Sequence, residues 1–97
     1  MKLIREILYK VEINSVIGNT SLTINKIEFD SRLINEGDMY VAIKGVNVDG
    51  HDFIPNAIQN GANCIICEKT PDQKVDDVVY VNVSSSRKAL AVISSNY

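Results

Sequence analysis

Apolar residues recur at helical spacing at the start of the chain, where Leu3, Ile4, Ile7, Leu8 and Val11 share one face and predict a short amphipathic helix over residues 2–11. Asn14 and Gly18-Asn19 break that pattern. Leu22, Ile24, Ile27 and Phe29 are then apolar with polar residues between them, the alternation of a strand, and the step from Ile24 to Ile27 shifts the period as a bulge would. Asn35-Glu36-Gly37-Asp38 is turn chemistry, and the apolar run Met39 to Ile43 reads as a central strand. A polar loop bounded by Gly45 and Gly50 leads to a helix over 52–58, with Asp52 as its N-cap and Gly61 closing it.

Cys64 to Cys67 reads as the next strand, Thr70-Pro71-Asp72-Gln73 as a turn, and Val78 to Val83 as a β-branched strand. Ser84 or Ser85 can cap a final helix, on which Leu90 and Ile93 share a face. The order is helix, strand, strand, helix, strand, strand, helix. It predicts an α/β domain, a small sheet flanked by helices. The last helix runs to Tyr97 without a C-terminal cap or polar tail, so the chain reads as interrupted there.

With 97 residues the chain has room for one domain, residues 1–97. Its 45% apolar and 23% charged residues are a folding composition. Ten basic residues against twelve acidic ones give a net charge of -2, and the basic residues are scattered. Nucleic acid is therefore a poor candidate for a partner. No apolar run approaches the roughly 20 residues that span a bilayer, which argues against a membrane partner and for a cytoplasmic protein.

Cys64-Ile65-Ile66-Cys67 has the spacing of a redox pair or half a zinc site. The lone histidine, His51, has no His or Cys partner at ligand spacing, and the intervening isoleucines make the segment a buried strand in which cysteine packs as a small hydrophobe. No metal site is expected.

The densest chemistry runs from Phe29 to Ala62, where two polar loops follow two strands. Strand ends are where α/β sheets usually bind ligands. The ordered set Asp30-Ser31-Arg32, Gly37-Asp38 and an aromatic, Val41-Ala42, Gly45, Asp49-Gly50-His51 and Gly61-Ala62 resembles the N-terminal domain of the Mur ligases. The resemblance covers the whole chain, since Ser86-Arg87-Lys88-Ala89-Leu90-Ala91 is similar to the helix leading into that family's central domain. The short leader, the loop Gly45 to Phe53 and the strand Cys64 to Lys69 look most like the E-type ligases, with the F-type as runner-up.

The resemblance implies that this domain holds the uridine end of UDP-MurNAc-L-Ala-D-Glu, for a ligase adding the third residue of the peptidoglycan stem peptide. In the family the central domain binds ATP with Mg2+ and the C-terminal domain selects the amino acid. An acyl phosphate on the peptide carboxylate is attacked by the incoming amine. The phosphate loop Gly-x-x-x-x-Gly-Lys-Thr is absent from this chain, so the chain is expected to end before the ATP-binding domain, to hold no cofactor and to be inactive alone. A stand-alone interaction domain of the same fold is the competing reading.

Carried over by the resemblance, the substrate-binding residues are Ser31, Phe29, Val46, Asn47 and Val48; no catalytic residue is expected. Ser31 matches a family serine that contacts the uridine, a task suited to a hydroxyl that both donates and accepts; the bland reading is a strand-end serine bonding its own backbone. Asp30 and Arg32 read first as a brace, with a phosphate contact by Arg32 as the alternative. The family counterpart of Phe29 contributes to the uracil pocket through backbone and an apolar wall, and its side chain reads equally as core; the two roles are compatible. Val46-Asn47-Val48 stands where some E-type ligases carry His-Gln-Ala, so all three side chains depart from that pattern. Asp49 or His51 would pin the loop, and His51 is read as structural.

Overall fold

The computed structural model describes residues 1–97. Its five-stranded sheet is built from β2 (Ser15–Ile17), β7 (Val79–Asn82), β6 (Cys64–Cys67), β5 (Met39–Val41) and β4 (Ile27–Glu28), in that spatial order. Strands β4 to β7 run parallel, and β2 pairs antiparallel with β7 at one edge. A separate two-stranded ribbon joins β1 (Lys2–Leu3) to β3 (Thr23–Ile24).

Alternation along the parallel strands divides the core into two layers, because successive side chains point to opposite faces. Met39, Val41, Cys64, Ile66, Val79 and Val81 pack with Ile4 and Ile7 of α1 (Ile4–Ile7) and with Ala89 and Ile93 of α3 (Ser86–Asn96). Tyr40, Ala42, Ile65, Cys67 and Tyr80 pack on the other side with Ile54 and Ala57 of α2 (Ile54–Gln59). The α/β class is as expected. Two-sided burial explains why CIIC reads as a continuous apolar run.

Three local expectations are corrected. The first helix is only four residues long, because Lys2-Leu3 is drawn out as a strand against β3 and Lys10 takes a positive φ of 64° just beyond the helix. The strand expected over 22–29 is two strands in two different sheets, so the period shift at Ile24 to Ile27 is the crossing between sheets and not a bulge. The helix after the glycine loop starts at Ile54, preceded by a 3-10 turn over Gly50–Phe53, and Asp52 does not cap it. Asp49 performs the capping one turn earlier, accepting from His51 N at 3.0 Å.

Ser85 is confirmed as the cap of α3, its hydroxyl accepting from Lys88 N. Strand β2 was missed because Ser15, Val16 and Ile17 are all exposed on an edge, leaving no inside-outside alternation to read. No helix is long and apolar enough to cross a membrane.

Candidate functional site

The parallel strands deliver their C-terminal ends to one edge of the sheet, and the polar segments singled out in the sequence gather there. After β4 the chain turns at Asp30 into a 3-10 turn over Ser31–Leu33. The Asp30 carboxylate accepts from Arg32 N at 3.0 Å and grips the guanidinium at 3.0 Å through Nε and 2.8 Å through Nη2. Chiefly because of that side-chain bond to Arg32, the carboxyl is held below the ordinary Asp range, at about 2. The pair is the brace that the sequence favoured, with the Arg32 head in solvent.

Ser31, the first residue of this turn, is buried. Its carbonyl accepts from Asn60 Nδ2 at 2.9 Å, at the end of α2, and Lys26 Nζ holds the far side of the turn through Leu33 O at 2.7 Å. The same ammonium lies 2.5 Å from Oδ2 of buried Asp38. The turn is thus held by Asp30, Asn60 and Lys26. The Ser31 hydroxyl takes no part in holding it, since the backbone bond expected of a strand-end serine is made by Asp30.

The second loop follows β5 and folds back on itself. Gly50 N donates to Ile43 O at 2.8 Å, Gly45 N donates to Val48 O at 2.8 Å, and Lys44 bridges Asp49. Val46, Asn47 and Val48 form the exposed tip. Gly50 is required by close approach: a Cβ there would stand 2.7 Å from Ile43 N and 2.8 Å from Ile43 O.

Tyr40 supports this loop from below, donating its hydroxyl to Gly50 O at 2.8 Å. Its phenol is pushed up to about 12, first by burial and then by the charges of Asp30 and Asp49. Strands β4 and β5 run parallel, so the loops that follow them leave the same end of the sheet. Sequence reading placed Tyr40 in a strand but gave it no role. The signal was available, because a Tyr inside an aliphatic strand needs a partner for its hydroxyl.

His51 fastens the loop laterally. Its Nδ1 lies 2.7 Å from Asp49 Oδ1, and its Nε2 accepts from Glu68 N at 2.9 Å, just past β6. Asp49 is lowered below the ordinary carboxylate value first by the backbone bond from His51 and then by its ring. The ring pins the loop, as expected of Asp49 or His51. Glu68 was not singled out in the sequence.

Phe29, Val46 and Val48 are exposed apolar side chains at this edge, which corrects the reading of Phe29 as core. An open groove of about 740 Å³ lies between α2 and residues 69–75; His51 and Asp52 line it at one side, and it contains none of Phe29, Ser31 or Val46 to Val48. Cys64 and Cys67 are free and buried. No three His, Cys, Asp or Glu side chains converge as metal ligands.

A mostly parallel sheet thus carries two braced polar loops at its carboxyl edge, the place where α/β sheets usually receive ligands. A model of the Mur ligase family, catalytic domain, matches residues 23–97, and the chain belongs to that family. It is 40% identical over 95 residues to the UDP-N-acetylmuramoyl-L-alanyl-D-glutamate--2,6-diaminopimelate ligase of Cytophaga hutchinsonii, covering 97% of this chain and 20% of that protein. The ligase of the same name from Clostridium tetani is 43% identical over 99 residues, covering 100% and 20%. The chain therefore spans about a fifth of the length of the curated relatives it matches.

Among solved structures, MurF from Acinetobacter baumannii shares the fold over 97% of this chain and 20% of its own, with a TM-score of 0.78 at 23% identity. The MurF ligase of Thermotoga maritima in complex with ADP aligns over 75% of this chain and 16% of its own, with a TM-score of 0.64 at 40% identity.

Proposed function

We propose that this domain holds the uridine end of UDP-N-acetylmuramoyl-L-alanyl-D-glutamate for an ATP-dependent, cytoplasmic ligase that adds the third residue of the peptidoglycan stem peptide. The observation that carries the reading is the Ser31 hydroxyl: it stands on a turn braced by three other side chains and is itself spared from the bracing. A hydroxyl so placed both donates to and accepts from a uracil edge. Phe29, Val46 and Val48 supply apolar walls for the pyrimidine, and the Asn47 amide supplies a further donor and acceptor. The departure from His-Gln-Ala at 46–48 leaves the loop's backbone groups and one polar side chain for recognition.

Relatives named for diaminopimelate addition match 97% to 100% of the chain at 40% to 43% identity, which favours the E-type over the F-type reading. ATP and Mg2+ belong to the proposed whole enzyme. The present residues do not fit that pair, since they include neither a phosphate loop nor a converging carboxylate cluster. This domain's contribution is binding and orientation of the muramoyl substrate.

The test is Ser31→Ala in the full-length protein, with both Michaelis constants and the melting temperature measured. One neutral hydrogen bond is worth about 0.5–1.5 kcal/mol, so the constant for the muramoyl substrate should rise roughly two-fold to ten-fold while that for ATP stays unchanged. A lower melting temperature with an unchanged muramoyl constant would remove Ser31 from the site.

A further inference from the structure

The loop carrying Val46 to Val48 is tied at both ends to the start of α3. At one end, Arg87 Nη2 donates to Lys44 O at 3.4 Å. At the other, His51 Nε2 accepts from Glu68 N at 2.9 Å and from Lys69 N at 3.4 Å. Glu68 in turn sends its carboxylate to Ser86 N, the first residue of α3, at 2.8 Å.

The chemistry of these contacts specifies the state of the imidazole. Backbone N–H groups only donate, so Nε2 must carry the lone pair. The proton then sits on Nδ1 and points at Asp49 Oδ1, 2.7 Å away. The ring side chain is 14% exposed and has a partner on each nitrogen. It spans from the loop's own carboxylate to the segment just past β6, a connection that neither Gly50 nor Tyr40 makes.

We propose that His51 is a positioning residue for uridine-nucleotide binding: it holds the 46–48 tip at its working distance from the Ser31 turn by locking Asp49 to the Glu68 backbone. The inference rests on the proposed uridine site and adds a residue that does not touch the ligand. Without the strut the tip is held only by Tyr40, by the Arg87 bond to Lys44 O and by its own internal bonds, and it samples open positions. Apparent affinity falls in proportion to the fraction of time the loop is correctly placed.

The experiment compares wild type, His51→Ala and His51→Gln in the full-length protein. Dissociation constants for UDP-N-acetylmuramoyl-L-alanyl-D-glutamate and for ATP are measured by calorimetry, with kcat and melting temperature alongside. His51→Ala should weaken the muramoyl ligand roughly ten-fold and leave ATP affinity and kcat unchanged. His51→Gln, which keeps an acceptor for Glu68 N, should recover most of the loss. Hydrogen exchange on the wild type gives a reading independent of whether the alanine variant folds: bound ligand should slow the amides of residues 44–51 together with those of Glu68 and Lys69.

Tight muramoyl binding by both variants would overturn the role of His51 and leave the uridine site standing. Equal loss in the alanine and glutamine variants, or exchange at Glu68 and Lys69 indifferent to ligand, would also overturn it. Failure of the wild type to bind the muramoyl ligand would overturn the site and the strut together.

Discussion

Cys64 and Cys67 occupy one short strand yet face opposite layers of the core, Cys64 packing with Met39 and Val79 on the α3 side and Cys67 with Tyr40 and Tyr80 on the α2 side. Residues three apart on a strand necessarily diverge in this way. The pair cannot close on a shared metal or join as a disulfide without unmaking β6.

Burial also raises both thiols above the ordinary cysteine value, suppressing the thiolate that reacts. Labelling by a thiol reagent should therefore be slow for both residues in the native state and fast in denaturant. Fast native labelling of either would contradict their place in the core.

Tyr40 links stability to alkaline pH. Its folded-state value of about 12 lies above the ordinary 10.0, so the folded protein holds the phenolic proton more tightly than the unfolded chain. The stabilisation is complete below pH about 10 and is lost as pH rises toward about 12. A phenolate absorbance titration should show one tyrosine ionising late, and Tyr40→Phe should remove that step. Losing the bond to Gly50 O should cost about 0.5–1.5 kcal/mol in the denaturant midpoint. A substitution without effect on either reading would detach Tyr40 from the loop.

Gly61 joins α2 to β6 at φ 114°, where side chains are strained, and a Cβ would stand 2.5 Å from Glu36 Cα. The neighbour is backbone and cannot swing aside. Gly61→Ala should destabilise the fold by at least about 1–3 kcal/mol in chemical denaturation. A neutral result would mean that the turn over 35–38 is not packed against this junction.

Most of the parallel sheet was legible because β5, β6 and β7 are buried on both faces and read as apolar runs bounded by turn residues. The short pieces were not. Lys2-Leu3 is a strand only through its pairing with Thr23-Ile24, a contact far removed in sequence, and propensity within residues 2–11 pointed to helix. Asp52 satisfied the local rule for a cap, but Asp49 held the turn one step earlier, and no pattern distinguishes two acids three residues apart.

At the site, the motif supplied Ser31 and the loop. Asn60 at the end of α2 and Glu68 past β6 lie outside the motif, and Tyr40 stands in it only as an aromatic without a stated role; all three meet these loops only after folding. Their own segments carry no trace of that role beyond the buried Tyr hydroxyl.

The central claim, that the carboxyl edge of the sheet and not the open groove beside α2 receives the nucleotide, is tested most directly by titrating the protein with UDP-N-acetylmuramoyl-L-alanyl-D-glutamate while following backbone amide chemical shifts. Saturable shifts are expected at Phe29 to Arg32 and at Lys44 to His51, with residues 69–75 little changed except where His51 touches Lys69. Shifts concentrated at Pro55, Gln59 and 70–75, with Ser31 and the 46–48 tip unmoved, would contradict it.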